Sequence, residues 1–298
     1  MKILNIGSLN IDHVYRVDHA VRPGETLSAS SFQDFCGGKG FNQSIALARA
    51  GAEVFHAGKI GADGEPLVRY LTESGVDARH VLVDAENATG HAIIQVDAQG
   101  QNCIVVWGGA NDQMTEAEAD EILSHFDSGD VLLMQNEMNI LPHALRRAHA
   151  KGMTIALNPS PMGNLAQSDL LNLVDIFILN EIEGAQITRM RDKDDICDAL
   201  LARFPNCSVM LTLGKDGCVF ARKNLRLAQS AFEVDAVDTT AAGDTFLGYF
   251  LQGLLGNRAI EDVLRTASKA SAIAVSRPGA APSIPARAEL GQITLRER

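Results

Sequence analysis

A carboxylate at the start of an apolar helix is the strongest hint of chemistry in this sequence. Asp244 directly follows three small residues, AAG at 241–243. The first turn of a helix exposes unpaired backbone N–H groups at the positive end of its dipole, and small side chains let an anion approach them. Asp244 could take a proton from a hydroxyl held beside such an anion. The simpler alternative is an Asp that only stabilises the helix N-terminus.

The helix itself is predicted from the residues that follow. Apolar side chains recur every four positions at Phe246, Phe250 and Leu254. This spacing puts them on one face of a helix that begins near Ala242. We expect two helices over residues 241–276.

Composition narrows the classes of partner. The 298 residues carry a formal net charge of −11 and contain no run of basic residues, so nucleic acid and anionic membrane surfaces are not expected partners. The five cysteines form no CxxC pair and the eight histidines form no cluster with metal-ligand spacing. The apolar N-terminal run breaks at Gly7, too early for a signal sequence. We therefore expect one main domain in the cytoplasm, with reduced cysteines and no transition-metal chemistry.

Short apolar runs alternate with amphipathic stretches along most of the chain. The runs read as buried strands at 2–6, 53–57, 130–135, 153–157, 174–179 and 208–213. Helical patterns occupy 40–50, 64–74, 115–126, 140–150 and 194–204, and Thr115 with Glu118 is spaced as a capping box. This alternation predicts an α/β fold with a central, mostly parallel sheet flanked by helices.

Two pairs of β-rich segments fall outside that alternation. Residues 13–18 and 26–35 flank a turn signal at Arg22, Pro23 and Gly24, and 91–97 and 102–107 flank a hairpin turn. Both pairs adjoin polar, Gly-rich strings. We expect a small β-sheet lid over a cleft, with a decorated sheet edge as the alternative.

The polar strings of the N-terminal half supply candidate ligands for a polyhydroxylated molecule. GSLNID at 7–12 follows the first strand, where Asn10 and Asp12 would emerge at the carboxyl edge of the sheet. GGKGFNQS at 37–44 adds Lys39 and Asn42. Carboxylate, amide and ammonium groups suit sugar hydroxyls. Taken singly, Asn10 could be a turn residue and Asn42 a helix cap. GGKG is not a Walker A loop, because no Ser or Thr follows the Lys.

Two strings in the second half follow predicted strands. In LNEIE, Asn180 and Glu183 are three residues apart and could face a hydrated Mg²⁺ beside a triphosphate, although Glu183 could equally be a solvated helix carboxylate. In LTLGKDG, Thr212, Gly214 and Gly217 could let a nucleotide lie against the backbone, or form an ordinary turn.

The order of these strings, ending in VDTTAAGDTF and in AVSRPGAAPSIP at 274–285, resembles the ribokinase-like (PfkB) family of carbohydrate and nucleoside kinases. The resemblance spans nearly the whole chain and implies a single kinase domain over residues 1–298. It also implies an α/β sandwich with a small β lid, a sugar substrate, ATP as phosphoryl donor, Mg²⁺, an activating K⁺ and a homodimer formed through the lid.

The resemblance also implies roles for individual residues. Asp244 would be the general base, and the anion hole would consist of the amides of Ala241, Ala242 and Gly243. Sugar contacts would come from Asn10, Asp12, Gly38, Lys39, Asn42, Ala92, Val106 and Glu137. The metal and phosphates would be held by Asn180 and Glu183, and the nucleotide by Thr212, Gly214, Gly217 and Ser268. The monovalent cation would be bound, largely by carbonyls, at Asp238, Thr240, Ala274, Arg277, Gly279 and Ser283.

A few positions depart from the family's pattern. His91 and Trp107 replace smaller residues on the lid strands, so we expect them beside the pocket walls, where Trp107 would narrow the pocket, stack on a ring or pack in a lid dimer. Leu179 precedes the NEIE string in place of Pro, and Ser268 and Lys269 stand in the adenine region. The acceptor expected from the resemblance is O5 of D-ribose. Deoxyribose, fructose or a nucleoside stay open as acceptors, and so does a catalytically silent sugar sensor.

Overall fold

The strands and helices follow the predicted alternation closely. The computed structural model describes residues 1–298. The strands are β1 Ile3–Ile6, β2 Asn10–Arg16, β3 Ser31–Gly37, β4 Val54–Ile60, β5 Asp77–Val83, β6 Gly90–Val96, β7 Asn102–Trp107, β8 Val131–Gln135, β9 Thr154–Asn158, β10 Ile176–Asn180, β11 Ser208–Thr212, β12 Cys218–Arg222 and β13 Leu225–Gln229. The helices are α1 Lys39–Ala50, α2 Glu65–Glu73, α3 Glu116–Ser124, α4 Leu141–Ala150, α5 Glu181–Thr188, α6 Lys193–Arg203, α7 Ala242–Leu255, α8 Ile260–Val275 and α9 Arg287–Leu290.

The main sheet has nine strands in the order β13-β12-β11-β10-β9-β8-β1-β4-β5. All neighbours from β5 to β11 pair in parallel, and the β12–β13 hairpin extends the sheet in antiparallel fashion. One apolar cluster packs α3 to α6 on one face, and a second packs α1, α2, α7 and α8 on the other. The α/β sandwich predicted from the sequence is confirmed. No helix of the chain combines the length and the apolar character that crossing a membrane requires.

The four remaining strands form a separate sheet in the order β3-β2-β6-β7. We call this sheet the lid. The predicted hairpin at 102–107 and 91–97 is present as β6 and β7. The first predicted pair is also present, as the antiparallel strands β2 and β3, but its bounds were wrong: the strands are 10–16 and 31–37, and residues 26–30 are not strand. The turn at Arg22 does form, closed by Glu25 N donating to Arg22 O at 3.0 Å, but it lies within a long loop rather than a tight hairpin.

Five elements carried no sequence prediction of their own: β5, β12, β13, α5 and the one-turn helix α9. β5, β12 and β13 contain charged residues within short apolar runs, as in DARHVLV and LRLAQ. β5 and β13 lie at the two ends of the main sheet, where one side of a strand has no neighbour and solvent tolerates polar side chains, and β12 lies between β13 and β11. α5 has almost no amphipathic period, so its sequence carries no clear helical pattern. The capping box of Thr115 and Glu118 at the start of α3 is present as predicted.

Candidate active site

Helix α7 begins at the residues that the sequence singled out. Ala241 caps it with φ 58°, a left-handed conformation that costs a non-glycine residue on the order of 1 kcal/mol. The N–H groups of Ala241, Gly243 and Asp244 donate to no protein acceptor, whereas Ala242 N donates to Thr239 O at a long 3.3 Å. Two of the three predicted amides, and that of Asp244 itself, therefore point out of the helix start towards any anion placed there.

Two amide side chains of α1 hold the carboxylate of Asp244. Gln43 Nε2 donates to Oδ1 at 2.9 Å, and Asn42 Nδ2 donates to Oδ2 at 3.2 Å. Burial raises the pKa of Asp244, and the hydrogen bond from Gln43 and the charge of Lys39 oppose that rise. The carboxylate is therefore oriented, partly stripped of water and more basic than an exposed Asp, as a proton acceptor requires.

Lys39, Glu137 and Asp12 form a charged cluster beside Asp244. Lys39 Nζ lies 3.2 Å from Glu137 Oε1. Burial on its own would lower the pKa of Lys39, but Glu137, Asp244 and Glu183 together raise it, so the ammonium is retained. The carboxylates of Glu137, Asp244 and Glu183 thus share one cation, Lys39, at the carboxyl edge of the main sheet.

Asp12 is the most perturbed member of this cluster. Burial, with a further contribution from Glu137, raises its pKa from 3.8 to about 6. Its carboxylate is half-buried and accepts no hydrogen bond from any protein group. Gly37 makes room for it, since a Cβ at that position would collide with the Asp12 carboxylate. An unpaired acceptor of this kind, facing a cleft, is suited to the hydroxyl groups of a ligand.

The glycine before α1 has a conformation that other residues avoid. Gly38 has φ +100°, and a Cβ there would lie 2.8 Å from Ser8 O. This conformation brings the start of α1 against the end of β1, so that Asn42 and Lys39 reach the cleft. Asn10 is part of the same corner, where its Oδ1 accepts from Asn111 Nδ2 at 2.8 Å.

The lid contributes one row of side chains to the cleft. Asp12 pairs with Ala92 across β2 and β6, and Ala92 pairs with Val106 across β6 and β7. Directly paired residues point to the same face of a sheet, so the predicted lid contacts Ala92 and Val106 share the face of Asp12. Ala92 is buried and Val106 is exposed.

His91 and Trp107 do not flank the pocket, and the expectation that they narrow it is wrong. They pair with each other in the lid register, one position away from Ala92 and Val106, and therefore point to the opposite face. Their rings lie 5.1 Å apart, and His13 packs 5.5 Å from His91 on the same outer face. His91 and Trp107 therefore change the outer face of the lid, and they leave the face that carries Asp12, Ala92 and Val106 unaltered.

A cavity of about 310 Å³ adjoins the start of α7. Four predicted nucleotide residues line it: Thr212, Gly214, Gly217 and Ser268. Ala242 and Gly243 line it as well, so the cavity reaches the predicted anion hole. Lys269 points away from it, because its Nζ donates to Leu290 O at 2.5 Å. Of the two residues expected in the adenine region, Ser268 lines the cavity and Lys269 does not.

The last residues of the chain form a wall of this cavity, which the sequence did not reveal. Glu233 N donates to Arg296 O at 2.8 Å, and Arg298 N donates to Ala231 O at 2.9 Å. Arg298 and Phe232 both line the cavity. The short segment 296–298 carries no motif, so only its pairing with residues 231–233 identifies it.

Asn180 and Glu183 cap helix α5 reciprocally. Asn180 Oδ1 accepts from Glu183 N at 2.9 Å, and Glu183 Oε2 accepts from Asn180 N at 3.0 Å. Glu183 is 8% exposed, so it is not the solvated carboxylate considered as its alternative role. Only one oxygen of Glu183 is used by the cap. The other is available to a hydrated cation, for which carboxylate oxygens are suitable ligands.

The predicted cation-site residues lie on two loops that Asp238 joins. Its Oδ1 accepts from Thr240 N at 2.9 Å and its Oδ2 from Gly279 N at 3.0 Å. Burial opposes ionisation of Asp238, but these hydrogen bonds hold its pKa below the ordinary value. The remaining predicted residues lie on or beside the second loop: Ala274, Arg277 and Ser283. The Arg277 guanidinium is engaged by Glu289 at 2.7 Å, so only its carbonyl could serve a cation. Such an oxygen-only donor set fits a hard cation such as K⁺.

Known proteins resemble this chain over almost its full length. Residues 1–287 match the pfkB carbohydrate kinase family. A ribokinase of Haemophilus influenzae is 36% identical, with 95% of each chain covered, and one of Staphylococcus aureus is 37% identical, covering 98% of this chain and 99% of the relative. The structure of Arabidopsis thaliana ribokinase complexed with ribose and ATP superposes with a TM-score of 0.86 at 28% identity, covering 97% of both chains. The chain therefore belongs to the pfkB family of carbohydrate kinases.

Proposed function

We propose that this carbohydrate kinase transfers the γ-phosphoryl group of ATP to O5 of D-ribose. One observation carries the proposal: Asp244 lies at the start of α7, between the Asp12–Lys39–Glu137 cluster and a cavity of about 310 Å³ that reaches Gly243. A hydroxyl bound by the cluster would meet a phosphate bound by the α7 amides at this carboxylate. Two ribokinases, at 36% and 37% identity, match nearly the whole chain.

The proposed step needs one proton acceptor and a positive environment for the phosphoryl group. The O5–H proton moves to Asp244 as O5 forms a bond to the γ-phosphorus, and the bond from that phosphorus to the β,γ-bridging oxygen breaks to release ADP. The free amides of Ala241 and Gly243 stabilise the charge on the transferred group. Lys39 and the dipole of α7 contribute further positive potential. Asp12, Asn10 and Asn42 orient the sugar by accepting from or donating to its hydroxyls.

Two cations complete the proposal. The free oxygen of Glu183 would hold a water of a Mg²⁺ ion, which neutralises the triphosphate when bound. The loops joined by Asp238 would hold K⁺, whose charge would stabilise the anion hole when bound. Because Asp238 ties both loops together, the effect of K⁺ would reach α7 through residues 239–241.

We also propose that two copies pair through the lid. β7 is an edge strand whose six residues are all exposed. Val105 is 68% exposed and Trp107 48% exposed, and Phe32 and Ile93 extend the same apolar surface. An exposed apolar edge strand is a favourable site for a second copy of the sheet. All five cysteines are unpaired, which is compatible with the cytoplasm that we propose as its location.

The proposal is tested by coupled measurement of ADP release with a panel of acceptors. We expect the highest kcat/KM with D-ribose, lower values with deoxyribose, fructose and adenosine, and an increase when K⁺ replaces Na⁺. Asp244→Asn keeps the shape of the side chain and is expected to lower kcat by roughly 10²–10⁴ with little change in ATP binding. Nucleotide affinity is measured separately by calorimetry.

Each outcome separates one part of the proposal. Full turnover in Asp244→Asn would exclude the general-base mechanism. A higher kcat/KM with deoxyribose, fructose or adenosine would replace ribose as the acceptor and keep the mechanism. No ADP release with any acceptor, together with tight ribose binding, would identify a sugar sensor instead. Lid pairing is tested by light scattering, where Val105→Lys should convert a dimer to a monomer.

A further inference from the structure

A cluster of four amide side chains lies directly behind Asp244. It consists of Asn5 of β1, Gln43 of α1, Gln135 at the end of β8 and Asn158 at the end of β9, and we call it the amide cluster. Asn5 and Gln43 are fully buried and Gln135 is 1% exposed. A hydrogen bond between two amides requires the nitrogen of one to face the oxygen of the other, so the orientations of these side chains depend on one another.

The outer members of the cluster fix the direction of the Gln43 amide. Asn158 Nδ2 donates to Ile178 O at 3.0 Å, so Asn158 Oδ1 faces Gln43 and accepts from its Nε2 at 3.0 Å. On the other side, Gln135 Nε2 donates to Gln43 Oε1 at 2.7 Å. A reversed Gln43 amide would place nitrogen against nitrogen and oxygen against oxygen. Its nitrogen is therefore turned towards Asp244.

A second anchor holds Gln135. Its Nε2 also donates to Asn5 Oδ1 at 3.0 Å, and Asn5 Nδ2 donates to Gly40 O and to Ser44 Oγ, each at 2.8 Å. The main-chain carbonyls of Gly40 and Ile178 are therefore the two fixed ends of the cluster. Because a main-chain carbonyl cannot exchange donor and acceptor roles, the direction of every amide between those two ends is set.

The fixed direction of the Gln43 amide determines how the Asp244 carboxylate is held. Gln43 Nε2 donates to Oδ1 at 2.9 Å, so the carboxylate plane is held while the other oxygen, Oδ2, has only a 3.2 Å contact with Asn42. A neutral donor stabilises the ionised carboxylate and leaves its charge in place. A lysine at the same position would instead neutralise that charge. The charged groups that face Asp244 are Lys39 on α1 and Glu137 after β8.

We infer that Gln43 is a positioning residue for Asp244, and that Asn158 and Gln135 set the direction of its amide. The inference rests on the proposed role of Asp244 as general base. Gln43 touches the base and leaves the substrate pockets to other residues, so its loss should act on kcat and on the ionisation of the base. The affinity for ATP should not change, because no atom of Gln43 lines the nucleotide cavity.

The test replaces Gln43 with Met, which is similar in length and donates no hydrogen bond. We expect kcat to fall about 10- to 100-fold with an unchanged KM for ATP, since a hydrogen bond to a charged group contributes about 1.5–3 kcal/mol. The acid limb of the kcat profile should move to higher pH, because the ionised base has lost a donor. A merely structural role would not move that limb.

A matched control and a second variant keep the test decisive. Tyr249→Phe removes a buried hydrogen bond, to Pro285 O at 2.7 Å, from the helix that carries Asp244, and should keep the wild-type kcat and pH profile. Asn158→Leu leaves Gln43 in place without its fixed acceptor. It should shift the acid limb in the same direction with a smaller loss of kcat, and it serves where Gln43→Met does not fold.

The results test the positioning role of Gln43 separately from the proposed role of Asp244 as general base. A folded Gln43→Met with wild-type kcat and pH profile overturns the positioning role, as does Asn158→Leu with no shift. An equal loss in Tyr249→Phe overturns it too, because any buried polar loss would then have the same effect. Only turnover in Asp244→Asn counts against the general base, and that result is independent of the Gln43 variants.

Discussion

Asp12 places an unpaired carboxylate in the sugar cleft, and its removal should stabilise the free protein. Burial raises its pKa from 3.8 to about 6. A folded-state pKa above the unfolded value means that the ionised form is disfavoured by folding. At 1.36 kcal/mol per pH unit, a shift of about 2 units corresponds to at most about 3 kcal/mol at pH 7. Asp12→Asn should therefore raise the free energy of unfolding by about 1–3 kcal/mol, since the neutral amide still pays part of the desolvation cost.

The pH dependence of this gain has a definite sign. Because the folded pKa is raised, the Asp12 carboxyl causes no loss of stability below pH 4, where it is protonated in both states, and the full loss above pH 6. Between pH 7 and pH 5 the advantage of Asp12→Asn should shrink by about 1.3 kcal/mol, from the same pKa values. Other titrating groups cancel in the difference between variant and wild type.

Asp12→Asn should lower the activity with ribose although it raises stability. The Asp12 carboxylate is proposed to accept hydrogen bonds from ribose hydroxyls, and two charge-assisted bonds contribute roughly 3 kcal/mol or more. Asp12→Asn should lower kcat/KM for ribose by roughly 10²-fold or more. Wild-type kcat/KM for ribose should itself fall about tenfold between pH 7 and pH 5, because the ionised fraction of a group with a pKa of about 6 falls by that factor.

The assay is urea unfolding followed by circular dichroism at pH 7 and pH 5, with ribose kinetics on the same samples. Asp18→Asn is the matched control, since Asp18 is an exposed carboxylate just beyond the same strand. It should change neither stability nor kinetics. An Asp12→Asn variant that is less stable than wild type at pH 7, or whose advantage is the same at both pH values, would refute the reasoning.

Three further predictions follow from other parts of the structure. Arg298→Ala should raise the KM for ATP about fivefold and leave the KM for ribose unchanged, because Arg298 lines only the nucleotide cavity. Trp107→Ala should keep the KM for ribose within about twofold in steady-state kinetics, because its ring lies on the outer face of the lid. His56 is fully buried and burial lowers its pKa to about 4, so the unfolded state binds more protons below pH 6.5. Relative to His56→Gln, the wild type should lose about 2 kcal/mol between pH 7 and pH 5 in urea unfolding.

The sequence predicted the main sheet well because its strands are buried on both faces. VLLMQ of β8 and SVMLT of β11 are continuous apolar runs, which is the pattern of a covered parallel sheet. The edge strands β5 and β13 face solvent on one side and carry charges, so periodicity alone did not identify them. Residues 17–18 and 26–30, at the two ends of the lid loop, were mistaken for strand, because residues such as Thr26 and Leu27 suit either state.

The local motifs located the site, but the sheet register decided which residues enter it. Lys39 and Glu137 are 98 residues apart, and their pairing depends on α1 packing across the edge where β8 ends. Trp107 was misplaced because a one-residue step along a strand reverses the face of its side chain. Knowing that Trp107 lies on a lid strand was not sufficient; only its pairing with His91, beside the Ala92–Val106 pair, gives the face.

The amide cluster includes residues that lie outside every motif recognised in the sequence. Gln43 follows Asn42 in the GGKGFNQS string, but nothing in the sequence marked its side chain as a partner of Asp244. Its partners were not visible, since Asn5, Gln135 and Asn158 each end or nearly end a different strand. Parallel strands bring those ends together at one edge of the sheet. The sheet topology that forms the cleft for sugar and nucleotide therefore also brings together, directly behind Asp244, the amide side chains that orient it.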